Sequence, residues 1–98
     1  MAQIVVTPEA IAALDRLILT HSLPTDTRAR FRRSLEVLEV FPSLGPALDG
    51  GGYDGLRFVL GPWRWMVVVY EYDRTADLVG ALTVQDARSS AAATNFRS

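Results

Sequence analysis

The stretch from Leu56 to Val84 constrains the fold of this chain more than any other. LRFVLGPWRWMVVVYEYDRTADLVGALTV holds three runs rich in β-branched and aromatic residues, separated by two turn signals. Gly61-Pro62 and Asp73-Arg74-Thr75-Ala76-Asp77 supply those turns, so the segment reads as an antiparallel meander of three short strands. If Gly61-Pro62 is a two-residue turn, Leu60 stands opposite Trp63, Phe58 opposite Trp65 and Leu56 opposite Val67. Opposed residues share a face, and this one is almost wholly apolar, which marks it for burial. The other face then carries Arg57, Val59, Arg64, Met66, Val68, Tyr70 and Tyr72, and is expected to meet something polar.

The residues ahead of the meander read as its cover. Gln3-Ile4-Val5-Val6 is a short strand candidate. Thr7 follows as a helix N-cap, Pro8 takes the first helical position, where its missing N–H costs nothing, and Glu9 complements the helix dipole. Ile11, Leu14, Leu17, Ile18 and His21 recur at spacings of three and four, one apolar stripe that Pro24 ends. His21, in the last turn, is read as stabilising the helix C-terminus. A second helix is expected from Thr25 or Asp26 to about Phe41, with Phe31, Leu35, Leu38 and Phe41 buried, and an Arg32–Glu36 pair on its surface. So short a connection makes the two helices an antiparallel hairpin. The fold class is therefore α+β: an N-terminal strand and a helical hairpin packed on one face of a small, mainly antiparallel four-stranded sheet. SLGPALDGGGYDG, from Ser43 to Gly55, reads as a flexible linker, because its glycines lack the lysine, strand and helix of a phosphate-binding loop. Residues 89–98 form a small-residue tail, either a frayed helical turn or disordered, and the whole of 1–98 reads as one domain.

Composition excludes several chemistries. The chain has no cysteine and one histidine, so disulfides, thiolate metal sites and histidine clusters are ruled out, and no metal or cofactor is expected. No apolar run approaches the ~20 residues of a membrane helix, and MAQIVV lacks the marks of a signal peptide; no membrane partner and a cytoplasmic location are expected. All ten basic residues are arginine, with Arg28, Arg30, Arg32 and Arg33 crowded on the second helix, yet the net charge is −1. Any contact with nucleic acid must therefore come from a local patch.

The opening VVTPEAIAALDRL, the passage FPSLGPAL leading into LRFVLGPWRWMVVVY, and the close VQDAR together resemble toxins of the RelE/ParE superfamily, the stable partners of bacterial type II toxin–antitoxin pairs, also described as plasmid stabilisation proteins. The resemblance covers nearly the whole chain. It implies growth inhibition, either by cutting messenger RNA on the ribosome or by poisoning DNA gyrase, and neutralisation by a small cognate antitoxin. Cleavage needs a group to take the 2′-hydroxyl proton and cations to stabilise the phosphorane-like state. This sequence offers Arg57, Arg64 and Arg88 for the cations and Tyr70, Tyr72 or Glu71 for the base. Arg57, Arg64, Tyr70 and Arg88 are thus the candidate catalytic residues. Where similar proteins place a histidine or basic residue two or three positions before the last arginine, this chain has Gln85 and Asp86. The antitoxin is expected on Met66, Val68 and Tyr70, on the second face of the sheet, which the helices are expected to leave uncovered. From another class, the alternative is a non-toxic α+β module that docks a peptide or a second copy of itself.

Overall fold

The computed structural model describes residues 1–48 and 55–88, so the expectation for the 89–98 tail and the glycines at 50–52 lie outside the described residues. Its strands are β1 (Gln3–Val6), β2 (Leu56–Leu60), β3 (Met66–Asp73) and β4 (Leu78–Asp86); its helices are α1 (Pro8–His21), α2 (Thr27–Leu35) and α3 (Val37–Val40). The sheet order is β1-β4-β3-β2, with β1 parallel to β4 and the meander antiparallel throughout. The α+β architecture read from the sequence is the one observed.

Thr7 joins β1 to α1. Its Oγ1 accepts from the Ala10 N–H at 3.2 Å, as an N-cap does, and donates to the Ala81 carbonyl at 2.9 Å, fixing the helix to β4. The buried face of α1 is set by Ala10, Ala13 and Leu14, with Leu17 and Ile18 half-buried behind them. Ile11, expected on the stripe, stands outside it. Alanine contributes little to a hydrophobicity pattern, but its small side chain lets a helix lie close to a strand, and that closeness sets the rotation.

The second helix is two pieces. At Glu36 the N–H bonds back to Arg33, a three-residue turn in place of four, and α2 ends there. Phe31, Leu35 and Leu38 keep to the core, whereas Phe41 leaves helical geometry at φ −124° and is exposed. Arg32 and Glu36 form no ion pair, because the break falls on Glu36; Arg28 pairs with Asp15 and Arg30 with Asp26 instead.

The first hairpin departs most from expectation. Leu60 pairs with Val67, Phe58 with Val69 and Leu56 with Glu71, four residues further along than a two-residue turn demands. The chain turns instead through Pro62 to Trp65, closed by Gly61 N–H to the Met66 carbonyl (2.8 Å) and Met66 N–H to the Trp63 carbonyl (3.0 Å). An even shift leaves each strand residue on its expected face. The role of the faces is reversed: Val59, Met66, Val68 and Tyr70 lie beneath the helices with Val79, Ala81 and Val84. Met66 to Tyr70 are all buried, so β3 lacks the alternation that would have told its two sides apart. Met66, Val68 and Tyr70 are core, and the uncovered face expected to receive a partner is not theirs.

The segment after α3 is tied to the sheet. Ala47 bridges Arg57, Leu48 N–H bonds to the Leu56 carbonyl at 2.9 Å, and Phe58 N–H to the Pro46 carbonyl at 3.2 Å. Residues 45–48 thus line the open edge of β2 rather than acting as a free linker. The second turn follows the sequence: Asp73 Oδ1 accepts from Thr75 and Ala76 N–H, and Asp77 takes the left-handed conformation at φ 52°.

Candidate active site at the end of the sheet

Three elements converge where β4 ends. Asp86 is paired in register with Met66, and the Ala87 N–H continues the ladder to the Trp65 carbonyl at 2.7 Å, so the turn bearing Trp63 and Trp65 lies beside the last residues of the sheet. The last turn of α1 brings His21 to the same place, and Ser22, left-handed at φ 51°, ends the helix there. His21 Nε2 stands 3.2 Å from Asp86 Oδ2, and its ring meets Trp65 edge-on at 4.7 Å between centroids. Arg88 grips the same carboxylate with its backbone N–H (2.9 Å), Nε (3.0 Å) and Nη2 (3.1 Å), and its guanidinium lies over Trp65 at 4.8 Å.

Asp86 is the hub of this cluster. Its side chain is 15% exposed, and the Arg88 hydrogen bond, foremost among several contacts, holds its carboxyl below the usual carboxylate range against the opposing effect of burial. The same contact raises the Arg88 guanidinium. Arg88 itself is largely in solvent. Trp63 stacks on Trp65 at 6.3 Å and 26°, and Arg30 of α2 lies 5.9 Å over Trp63.

The four candidates from the sequence do not form one group. Arg57 and Tyr70 are cross-strand partners that close on Gly45: the Tyr70 hydroxyl accepts the Gly45 N–H at 3.0 Å, and Arg57 Nη1 donates to the Gly45 and Ser43 carbonyls. Tyr70 is fully buried, and burial pushes its phenol up, partly offset by the Gly45 N–H and Arg57. Arg88 follows Asp86, which pairs with Met66, four residues from Tyr70 along β3, or about 13 Å at the rise of an extended strand. Arg64 is exposed between the two tryptophans, with no hydrogen bond or ion pair among the described residues. The remaining bases considered lie elsewhere: Tyr72 donates its hydroxyl to Asp77 (2.7 Å), which raises its pKa, and exposed Glu71 projects from the opposite face, across from Gly80.

His21, Asp86, Trp63, Trp65 and Arg30 were not singled out as a site from the sequence. The WRW and DAR triplets carried the signal, but His21 lies 65 residues before Asp86, and only the packing of α1 on β4 unites them. Among the described residues no three His, Asp or Glu side chains are placed to hold a metal ion.

A helical hairpin over a mixed four-stranded sheet in this order is a RelE-type fold. The chain is similar to a chain in the crystal structure of the toxin–antitoxin complex RelBE2 from Mycobacterium tuberculosis, with TM-score 0.62 and 17% identity over 87% of this chain and 96% of that one. It is similar also to a chain of the archaeal RelE-RelB complex from Pyrococcus horikoshii OT3, with TM-score 0.60 and 19% identity over 90% and 98%. No protein-family model matches the sequence, and no curated protein matches it. The resemblance to RelE-type toxins read from the sequence therefore holds at the level of the fold. No helix among the described residues is long and apolar enough to cross a membrane.

Proposed function

We propose that this chain is the toxin of a toxin–antitoxin pair, acting in the cytosol by cutting messenger RNA during translation and neutralised by a small antitoxin. The fold supports the toxin reading, and the observation that carries the chemistry is the meeting of His21, Asp86 and Arg88 beside Trp65. An RNA strand carries its own nucleophile, the 2′-hydroxyl. His21 is the group that takes its proton. With Nε2 facing the Asp86 carboxylate, the neutral ring keeps its proton there and its basic lone pair on Nδ1. The 2′-oxygen then bonds to phosphorus and the bond to the 5′-oxygen breaks, leaving a cyclic phosphate on one fragment; the 5′-oxygen receives its proton from the imidazolium. Arg88 and the exposed Arg64 supply the positive charge that the phosphorane-like state needs. Arg57 and Tyr70 hold the Gly45 segment to the sheet and stand apart from this site. Val37, Val40, Phe41 and Leu44, all exposed, are the apolar area offered to an antitoxin.

The test is a translating extract supplied with the purified chain. Cuts in ribosome-bound mRNA, lost with Arg88→Ala and Arg64→Ala, are the expected result. Trapped gyrase–DNA complexes in place of cuts would move the target to gyrase. Neither activity, with no growth defect on expression, would leave the non-toxic binding module.

A further inference from the structure

We infer that Trp63 and Trp65 form a stacking platform for the bases of single-stranded RNA. This inference rests on the reading of the chain as an RNA-directed toxin and names the part of the site that holds the strand. The two rings lie 26° apart with centroids 6.3 Å from each other, and both are half-buried, packed against the core yet still reached by solvent. Their other neighbours are flat and polar. A guanidinium lies over each ring, Arg88 at 4.8 Å from Trp65 and Arg30 at 5.9 Å from Trp63, and the His21 imidazole meets Trp65 edge-on. A ring that already carries a planar cation presents the surface that a nucleobase uses, since bases and guanidinium groups both stack on indole. Arg64, between the tryptophans in sequence, is exposed and without a partner among the described residues, so its guanidinium is available to the phosphate of a stacked nucleotide. Interleaved aromatic rings and arginines are the arrangement by which single strands are held without reading their sequence. The net charge of −1 gives the chain no general attraction for polyanions, so binding depends on stacking more than on the field of the whole molecule.

Trp63 and Trp65 are the two tryptophans of the chain, so its intrinsic indole fluorescence reports on this site alone. The full chain is titrated with short single-stranded oligoadenylate and oligouridylate, and with inorganic polyphosphate, which has the charge without the bases. Quenching by both RNAs, stronger for the purine strand and absent with polyphosphate, is the expected result. Trp63→Leu should weaken RNA binding about tenfold while the chain remains cooperatively folded at the assay temperature. Trp65→Leu should do the same; if it fails to fold, Trp63→Leu still decides. Equal quenching by polyphosphate and RNA, or wild-type RNA affinity in Trp63→Leu, overturns the platform. Growth arrest and mRNA cutting without RNA-induced quenching also overturn it while the toxin reading stands; base-dependent quenching by a chain that arrests no growth keeps the platform and removes the toxin reading.

Discussion

Gly45 shows how much one backbone position decides. It is buried, its N–H goes to the Tyr70 hydroxyl and its carbonyl to Arg57, and a Cβ built on it would stand 2.1 Å from the Phe58 carbonyl oxygen. Gly45→Ala must therefore push the segment off β2. Tyr70→Phe keeps the ring but leaves a buried N–H unpaired, an expected loss of about 1–3 kcal/mol in urea unfolding. A tyrosine in a run of valines announces a polar atom in an apolar place. Whether that atom meets solvent or backbone depends on a glycine 25 residues away, which is why Tyr70 reads as a catalytic candidate in the sequence and as a clamp in the fold. Asp86 makes a prediction in pH. Its folded pKa is depressed, chiefly by Arg88, so the stabilisation it brings is present above the ordinary carboxylate value and fades as pH falls through the folded one. Melting temperatures of the wild type and Asp86→Asn should differ at pH 7 and converge only as pH falls below the ordinary carboxylate value.

At the scale of elements, the strands and helices were legible because their signals are local. Thr7-Pro8-Glu9 starts a helix, Pro24 stops it, and Asp73 to Asp77 fold a turn within five residues. Register and facing were not legible, because each is settled by partners distant in sequence. Gly61-Pro62 looks like a complete turn, but the chain gains more by carrying Trp63 and Trp65 into the loop, where they stack on each other and on the core. The unbroken burial from Met66 to Tyr70 then hides which side the helices take. Phe31 and Leu35, each 1% exposed, were placed correctly because a helical stripe needs no long-range information. Phe31→Ala or Leu35→Ala should cost about 2–5 kcal/mol by opening a cavity beneath the hairpin, and activity should fall only as far as the folded fraction does. A calorimetric melt beside a growth assay on the same variants separates that loss from a catalytic one.

Over the whole molecule, the order of its pieces carried more information than any one motif. The fold is that of chains in two toxin–antitoxin complexes at under 20% identity, and the candidate site is built at the end of β4 and the tip of the first hairpin. Asp86 ends the last strand beside Arg88, and the histidine that meets it comes from α1. The fold brings the histidine to that carboxylate through space, across 65 residues of sequence. Central to this reading is that His21 is the base. The direct measurement is growth after induced expression of the wild type and of His21→Ala at equal soluble levels and equal melting temperature, in cells without an antitoxin. Wild type should arrest growth and His21→Ala should release it, since a general base contributes about 10²- to 10⁴-fold in rate. Arrest by His21→Ala as complete as that by the wild type would contradict the assignment.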